Sequence, residues 1–136
     1  MFSTENKLII KIGIYNNPPK IYINKKGNIV IKPQFDDAKM FSDGAAIIMK
    51  NGSYGLIDYT GKYIISPRYM IMYDIIKGLT VIRTNNDRYG LIDKKTKKII
   101  IQIQYDNIFQ ISGSDLAISQ KDKEGSQKIG VLLKMK

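Results

Sequence analysis

Four aspartates recur at matching places in the chain and are the residues best suited to do chemistry. Asp58 and Asp93 end two identical five-residue stretches, and Asp36 and Asp106 each follow an aromatic residue. Paired carboxylates can act as acid and base or hold a cation. They can also cap turns by accepting hydrogen bonds from nearby backbone N–H groups. Recurrence favours capping, because an active site needs one constellation and not one per repeat.

The residue types that the chain lacks narrow the catalytic options. Its 136 residues include no Cys, no His and no Trp. This excludes disulfides, thiolate zinc sites and every catalytic relay built on Cys or His. Only Asp, Glu, Lys, Tyr and Ser remain for catalysis. We therefore expect a protein that is not an enzyme, with no catalytic residue, metal site, cofactor or small-molecule substrate.

The length and the apolar pattern predict a single domain in the cytoplasm. A chain of 136 residues fits one domain with its own core. The opening residues lack the apolar run and cleavage site of a signal peptide. No stretch approaches the roughly 18 apolar residues of a membrane-spanning helix. We expect a soluble intracellular protein without a membrane partner.

Lysine accounts for most of the positive charge. The net charge is +10, and of the 22 basic residues only Arg68, Arg83 and Arg88 are arginines. Lysine neutralises phosphates but is poorly suited to reading bases, which arginine recognises in a bidentate manner. The charge therefore argues against sequence-specific DNA recognition. Nonspecific nucleic-acid contact and an acidic protein partner remain open. The alternative explanation of the lysine excess is the compositional bias of an AT-rich genome.

The chain repeats itself about every 35 residues. Residues 27–35 and 61–69 share a Gly, an apolar run, a Pro and a final aromatic at an offset of 34. Residues 54–58 and 89–93 both read Tyr-Gly-Leu-Ile-Asp, at an offset of 35. A third copy is degenerate and a fourth begins at Ile129. Periodicity on this scale indicates a repeat array with atypical ends.

These residues resemble the WG-repeat (KWG-repeat) family over roughly residues 20–133. The matches are residues 54–58 with Gly61, Pro67 and Tyr69, and in the preceding copy Gly27, Pro33, residues 35–38 and residues 41–44. The family's Trp positions hold Tyr, Ile or other residues here. The resemblance implies an all-β array and little about activity. Tyr54 and Tyr89, at Trp positions, could stack on bases or sugars, but core packing is the favoured interpretation.

The repeats predict antiparallel β-hairpins. We expect about three short strands per repeat, with Pro33 and Pro67 marking strand ends because proline cannot donate to a sheet. The fold class is an all-β, antiparallel β-hairpin repeat array of about three and a half repeats, solenoid-like or propeller-like. The predicted boundaries are a capping strand in 1–19, repeats at 20–53, 54–88 and 89–128, and a partial repeat at 129–136.

Lysines fall at the same predicted hairpin turn in successive repeats. If repeats stack, they form a ridge that could contact nucleic acid or an acidic partner. The alternative is a solvated edge that prevents sheet-to-sheet aggregation. The residues are Lys25, Lys26, Lys62, Lys94, Lys95, Lys97 and Lys98.

An apolar segment replaces polar residues in the middle repeat. Met70, Ile71, Met72 and Tyr73 stand where the preceding copy has residues 36–39, Asp-Asp-Ala-Lys. If the segment is an exposed loop, it forms an apolar patch that suits a protein partner. The alternative is local repacking against a neighbouring repeat or the N-terminal strand.

The favoured function is a non-catalytic binding module. It docks onto a protein or nucleoprotein complex as an adaptor or inhibitor, for example a mobile-element inhibitor of a nucleic-acid-targeting host defence complex. The alternative is direct, sequence-nonspecific binding of nucleic acid along the lysine ridge.

Overall fold

The protein is built of antiparallel β-strands. In the computed structural model, residues 8–11, 20–76, 78–113 and 115–132 are described. They contain fourteen strands and no helix, so none of them forms a helix that could span a membrane. The predicted all-β, antiparallel hairpin repeat fold is confirmed.

The strands follow one another in chain order. Their bounds are β1 Leu8–Lys11, β2 Lys20–Ile23, β3 Ile29–Phe35, β4 Asp37–Ala38, β5 Ala46–Lys50, β6 Ser53–Ile57, β7 Tyr63–Tyr69, β8 Ile71–Ile76, β9 Leu79–Arg83, β10 Tyr89–Asp93, β11 Lys98–Tyr105, β12 Asn107–Ser112, β13 Asp115–Lys121 and β14 Gln127–Leu132.

The chain divides into two compact units, Met1–Met70 and Ile71–Lys136. The first unit holds a sheet of β1–β2–β3 and a sheet of β4–β5–β6–β7. The second holds a sheet of β8–β9–β10–β11 and a sheet of β12–β13–β14. In each sheet, strands that are neighbours in sequence are neighbours in space. That the whole chain forms one domain, with the repeat boundaries given above, stays a prediction.

The N-terminal segment contributes a strand to the first sheet. β1 pairs antiparallel with β2, with Leu8 opposite Ile23 and Lys11 opposite Lys20. The sequence predicted a capping strand within residues 1–19, of which residues 1–7 and 12–19 lie outside the described residues. β1 thus covers one edge of β2, as expected of a capping strand.

Two expectations about the repeat were wrong. The complete sheets have four strands where three per repeat were expected, and neither Pro33 nor Pro67 marks a strand end, because β3 and β7 both continue beyond their proline. Pro67 lies inside β7, which continues to Tyr69 opposite Tyr54. Proline is accepted there because β7, the outer strand, bulges over its inner neighbour β6. Between two successive pairings β6 advances two residues, from Leu56 to Tyr54, while β7 advances four, from Ile65 to Tyr69. A bulge releases its residues from ladder hydrogen bonding, so a missing N–H costs little.

The same bulge recurs in the neighbouring repeats and explains the glycine of the repeat motif. In β11 it lies between Ile101 and Tyr105, opposite Leu91 and Tyr89. It brings backbone onto the inner strand: a Cβ on Gly55 would lie 2.7 Å from the Ile65 carbonyl oxygen and 2.9 Å from the Pro67 nitrogen. Real Cβ atoms do not approach backbone so closely. β6 and β10 therefore need glycine where the outer strand bulges over them, whereas β2 has Ile21 at the corresponding place opposite the bulge of β3.

The clash predicts a large difference between two equivalent glycines. Gly55→Ala should lower the free energy of unfolding by about 1–3 kcal/mol, because the added methyl overpacks against backbone. Gly130→Ala is the matched control, since its Cβ would meet the Ile118 side chain at an ordinary 3.4 Å. Urea unfolding monitored by circular dichroism measures both. Equal midpoints for the two variants would contradict the account.

Aromatic packing joins the two sheets of the first unit. Tyr22 from β2 is buried among residues of β3, β4 and β5. Its ring meets Phe41 edge-on at 4.9 Å, and Phe41 stacks on Tyr59 at 5.1 Å. The Tyr22 hydroxyl donates a 2.6 Å hydrogen bond to the Lys39 carbonyl. Burial, with a smaller effect of the Asp37 carboxylate, raises the pKa of Tyr22 well above its usual range.

The second unit has a corresponding core made of aliphatic residues. Leu79, Val81, Leu91 and Ile101 from one sheet pack with Ile108 and Leu116 from the other. From Ile101 to Tyr105, buried or half-buried residues of β11 alternate with exposed ones, as a strand with one buried face requires.

The raised pKa of Tyr22 predicts loss of stability at alkaline pH. Above the ordinary tyrosine pKa of about 10, the unfolded chain loses this proton while the folded chain retains it. The contribution is therefore complete below about pH 10 and declines as pH rises above it. Tyr22→Phe should flatten this decline and, through loss of the hydrogen bond to Lys39, cost about 1 kcal/mol at pH 7. Urea unfolding of both proteins between pH 8 and 11 tests this, and parallel curves would count against it.

Candidate functional site

The repeated aspartates Asp58 and Asp93 cap turns. Oδ1 of Asp58 accepts hydrogen bonds from the backbone N–H groups of Thr60 (2.9 Å) and Lys62 (3.1 Å). Oδ1 of Asp93 accepts from the N–H groups of Lys95 and Thr96 at 2.8 and 3.3 Å. These bonds close the β6–β7 and β10–β11 turns, so the carboxylates have a structural role at these positions.

Asp36 and Asp106 tie each outer strand to the next hairpin. Oδ2 of Asp36 accepts from the Asn51 N–H at 2.6 Å, and Oδ2 of Asp106 accepts from the Lys121 N–H at 2.7 Å. Oδ1 of Asp106 also forms an ion pair with Arg88. Within the described residues, acidic side chains nowhere form a group of three that could hold a metal ion.

The segment from Met70 to Tyr73 is not an exposed apolar loop. Residues 71–73 begin strand β8, and Met72 is 2% exposed opposite Ile82. The equivalent Ala38 is also buried, at 6%, so this position faces the core in both repeats. Alternation along the strand explains the error, because every second residue must point inward. Met70 is exposed and Ile71 and Tyr73 are half-buried, so a contiguous patch of all four is excluded.

The predicted lysines do fall at three equivalent turns, with one exception. Lys25 and Lys26 lie in the β2–β3 turn, Lys62 in the β6–β7 turn, and Lys95, Lys97 and Lys98 at the β10–β11 turn, all exposed. Lys94 was wrongly assigned to the ridge, because its side chain is 1% exposed. What these lysines bind is not tested and stays a prediction.

Lys94 belongs to a polar cluster inside the second unit. Its Nζ lies 3.2 Å from Oδ2 and 3.3 Å from Oδ1 of Asp74, and the Thr80 hydroxyl donates a 2.6 Å hydrogen bond to Oδ1. A lysine–acid pair could in principle transfer protons. Here the ammonium is buried and only the Asp74 side chain, 48% exposed, reaches solvent. The arrangement therefore holds a charge inside the fold and does not present it to a substrate.

Aligning the repeats could have predicted that Lys94 is buried. Lys94 follows the capping Asp93 just as Tyr59 follows Asp58, and Tyr59 packs inward against Phe41. An inward-facing position in one repeat predicts an inward-facing position in the next. The lysine run 94–98 concealed this, because it looks uniformly polar.

The structure adds three exposed apolar residues beside the lysine turns. Ile29, Tyr63 and Ile99 are 58%, 38% and 41% exposed. They occupy the same position in three repeats, because each pairs with the last apolar residue of the strand before its turn. These partners are Ile23 in β2, Ile57 in β6 and Ile92 in β10. We call the exposed residues of the three turns the turn surface, and each turn is a contact site by itself, because the first two turns belong to the first unit and the third to the second. It comprises Lys25, Lys26, Ile29, Lys62, Tyr63, Lys95, Lys97, Lys98 and Ile99.

Tyr54 and Tyr89, the tyrosines at the family's Trp positions, are part of the strand pairing. Tyr54 lies opposite Tyr69 and Tyr89 lies opposite Tyr105, each at the end of a bulge. Tyr89 is half-buried and packs against the core of the second unit. This supports the packing interpretation over a stacking platform.

A groove of about 280 Å³ lies along β14 in the second unit. Its lining combines residues of β13 and β14 with one residue of β11: Tyr105, Ile118, Ser119, Gln120, Lys128, Ile129 and Gly130. Nothing in the sequence indicates this groove, because a groove depends on which strand has no neighbour.

Comparison with known proteins identifies the family. Residues 22–54, 54–86 and 89–124 each match the profile of the WG containing repeat. These matches cover most of the chain, so the protein belongs to the WG-repeat family, as the sequence indicated. No curated protein matches the chain significantly.

Three solved structures resemble the chain at 11% identity. The N-terminal domain of Nup159 has a TM-score of 0.47, covering 93% of this chain and 41% of that one. The computationally designed Ika4 protein has a TM-score of 0.47, covering 95% and 86%. A chain from the S. cerevisiae complex of Dbp5 bound to Nup159, Gle1, IP6 and ADP has a TM-score of 0.48, covering 98% and 40%. The chain thus spans about two fifths of the Nup159 domain it matches.

The buried lysine predicts an asymmetry between its two partners. Asp74→Asn should lower the free energy of unfolding by about 1–3 kcal/mol, because it removes the countercharge of a buried ammonium. Lys94→Met should cost less, since methionine keeps the volume of the stem and the half-exposed Asp74 can turn to water. Urea unfolding measures both, with Glu124→Gln at an exposed turn as the control. A larger loss for Lys94→Met than for Asp74→Asn would contradict this interpretation.

Proposed function

We propose that the protein is a non-catalytic binding module that docks, through the turn surface, onto a protein partner whose surface is acidic beside apolar groups. Repeat β folds of this kind typically present binding surfaces and leave catalysis to other proteins. The observation that carries the proposal is the threefold recurrence of exposed lysine followed by an exposed large apolar side chain.

The pairing of charge and apolar surface is what suits a protein partner. Ile29, Tyr63 and Ile99 stay exposed at a position that polar residues could fill without disturbing the core. Lysines beside them add attraction to carboxylates and steer encounter. Apolar residues that leave solvent on docking supply affinity. Each turn thus combines the two properties of a small contact site.

Nucleic acid is the second candidate, favoured by the lysines alone. Bases stack on aromatic rings, and only Tyr63 among the three apolar residues is aromatic. The basic residues of the turns are lysines, which neutralise phosphates without reading sequence. Nonspecific binding along the ridge would therefore use the charges and ignore Ile29 and Ile99.

The biological setting is the less direct part of the proposal. A basic module without a recognisable catalytic constellation fits an adaptor or an inhibitor of a larger complex in the cytoplasm. A nucleoprotein complex offers acidic protein surface and phosphates together, which suits the net charge of +10. Inhibition of a nucleic-acid-targeting host defence complex by a mobile-element protein is one such case.

The test separates apolar from charged contributions. The apolar variant carries Ile29→Ser, Tyr63→Ser and Ile99→Ser. The charge variant changes four turn lysines to Gln: Lys26, Lys62, Lys95 and Lys98. A matched control removes four exposed lysines elsewhere: Lys32, Lys39, Lys121 and Lys123. Each is used for affinity purification from the native host with and without nuclease, and for anisotropy titration of a random single-stranded DNA.

We expect nuclease-resistant recovery of a discrete protein partner by the parent and the control. Recovery should fall about tenfold in the apolar variant, the equivalent of losing one or two contact residues. DNA affinity should be unaffected by the apolar changes. Recovery that disappears with nuclease, together with DNA binding that only the charge variant weakens, would favour the nucleic-acid alternative and overturn the proposal.

A further inference from the structure

Strand β14 is the counterpart of β6 and β10, but none of the described strands pairs with its outer side. Gly55 lies opposite Ile48, Gly90 opposite Ile82 and Gly130 opposite Ile118, so the three glycines occupy one position. β6 and β10 are each covered by an outer strand, β7 or β11. β14 is the edge of its sheet, and no described strand of the second unit pairs with that edge.

The space that an outer strand takes is open at β14. In the complete sheet of the second unit, a Cβ on Gly90 would lie 2.9 Å from the Ile101 carbonyl oxygen, because β11 bulges over it. At Gly130 the nearest atom is the Ile118 side chain at 3.4 Å. The 280 Å³ groove lies at this place, and Ile129 beside it is 61% exposed. Its lining thus has room for a bulged strand.

Charge at the groove also has a counterpart in the neighbouring sheet. A basic residue stands two positions before the glycine in both strands: Lys128 before Gly130, and Arg88 before Gly90. Arg88 forms an ion pair with Asp106, which directly follows Tyr105 at the end of the outer strand β11. Lys128 lines the groove, where a carboxylate in the place of Asp106 would meet it.

We propose that the free edge of β14 accepts an extended segment of a partner protein, by strand addition. The outer strands β3 and β11 define its chemistry: an apolar β-branched residue, three bulge residues, an aromatic residue and then an acid, whereas β7 shares this pattern only as far as the aromatic Tyr69. The aromatic residue lies opposite Ile129 and the apolar residue opposite Val131, as Tyr105 and Ile101 lie opposite Tyr89 and Leu91. Main-chain hydrogen bonds supply affinity and the side-chain pattern supplies specificity.

Charge favours a partner protein over a second copy of this chain. Antiparallel pairing of two β14 strands would bring the Lys128 residues of both copies to one small interface without an acid. The segments of this chain that carry the aromatic–acid pair after a bulge, Phe35–Asp36 and Tyr105–Asp106, are already engaged within their own units. The site is also independent of the turn surface, so either proposal can fail alone.

The probe is a synthetic peptide patterned on the outer strands. It has the sequence of residues 63–69, Tyr-Ile-Ile-Ser-Pro-Arg-Tyr, followed by Asp, and a fluorescent label at its N-terminus. Binding is measured by anisotropy with the parent and with Gly130→Ala. The variant should fold normally, but its methyl group occupies the place of the bulge. We expect binding about tenfold weaker or worse, as overpacking of 1–3 kcal/mol implies.

A charge exchange tests the register. Lys128→Glu should weaken binding of the peptide that ends in Asp and should allow binding of a peptide that ends in Lys instead. Lys123→Glu, at the exposed β13–β14 turn outside the groove lining, is the matched control and should have little effect. Equal peptide affinity for the parent and Gly130→Ala, or no binding to the parent, would overturn the proposal. So would sedimentation showing a dimer that Gly130→Ala dissociates.

Discussion

The sheets depend on one close approach, that of the bulged outer strand to a glycine on the strand inside it. At Gly55 the nearest atoms are backbone atoms of Ile65 and Pro67, and at Gly90 those of Ile101 and Ile103 lie among the nearest. This contact sets the two-against-four register in both complete sheets. The register in turn decides where the outer strand ends and, after β11, where Asp106 can reach the next hairpin. The glycines of β6 and β10 are thus required by backbone geometry, whereas β2, with Ile21 at the corresponding place, accommodates the bulge of β3 without a glycine.

Capping turns and bulges leave the positions between them free to vary. Tyr59 stacks on Phe41 in the first unit, while Lys94 at the same repeat position pairs with Asp74 in the second. One site therefore accepts an aromatic pair or an ion pair, because the turn before it is closed by its own aspartate in either case. Substitutions of this kind change what a repeat buries without changing its strands.

The sequence predicted the features that recur from repeat to repeat and those that residue types fix locally. Hairpins, the turn role of Asp58 and the shared place of the lysine turns all follow from residue types at fixed spacing. Pro67 was misassigned, because proline marks a strand end only where the ladder is regular, and a bulge is visible only from pairing. Met72 and Lys94 were misassigned for a related reason: residue type suggested exposure or polarity, whereas their strand and turn positions point inward.

The same glycine has opposite consequences in covered and uncovered strands. Where β7 or β11 lies against it, the missing side chain is filled by backbone and contributes to the fold. At Gly130 none of the described residues places backbone so near, so the absence of a side chain leaves an opening beside an edge that no described strand pairs with. An exposed edge attracts other strands indiscriminately unless something limits what fits. Here the limits are the width that a bulge requires and the charge of Lys128. A feature that is structural inside a repeat array therefore becomes selective at its edge.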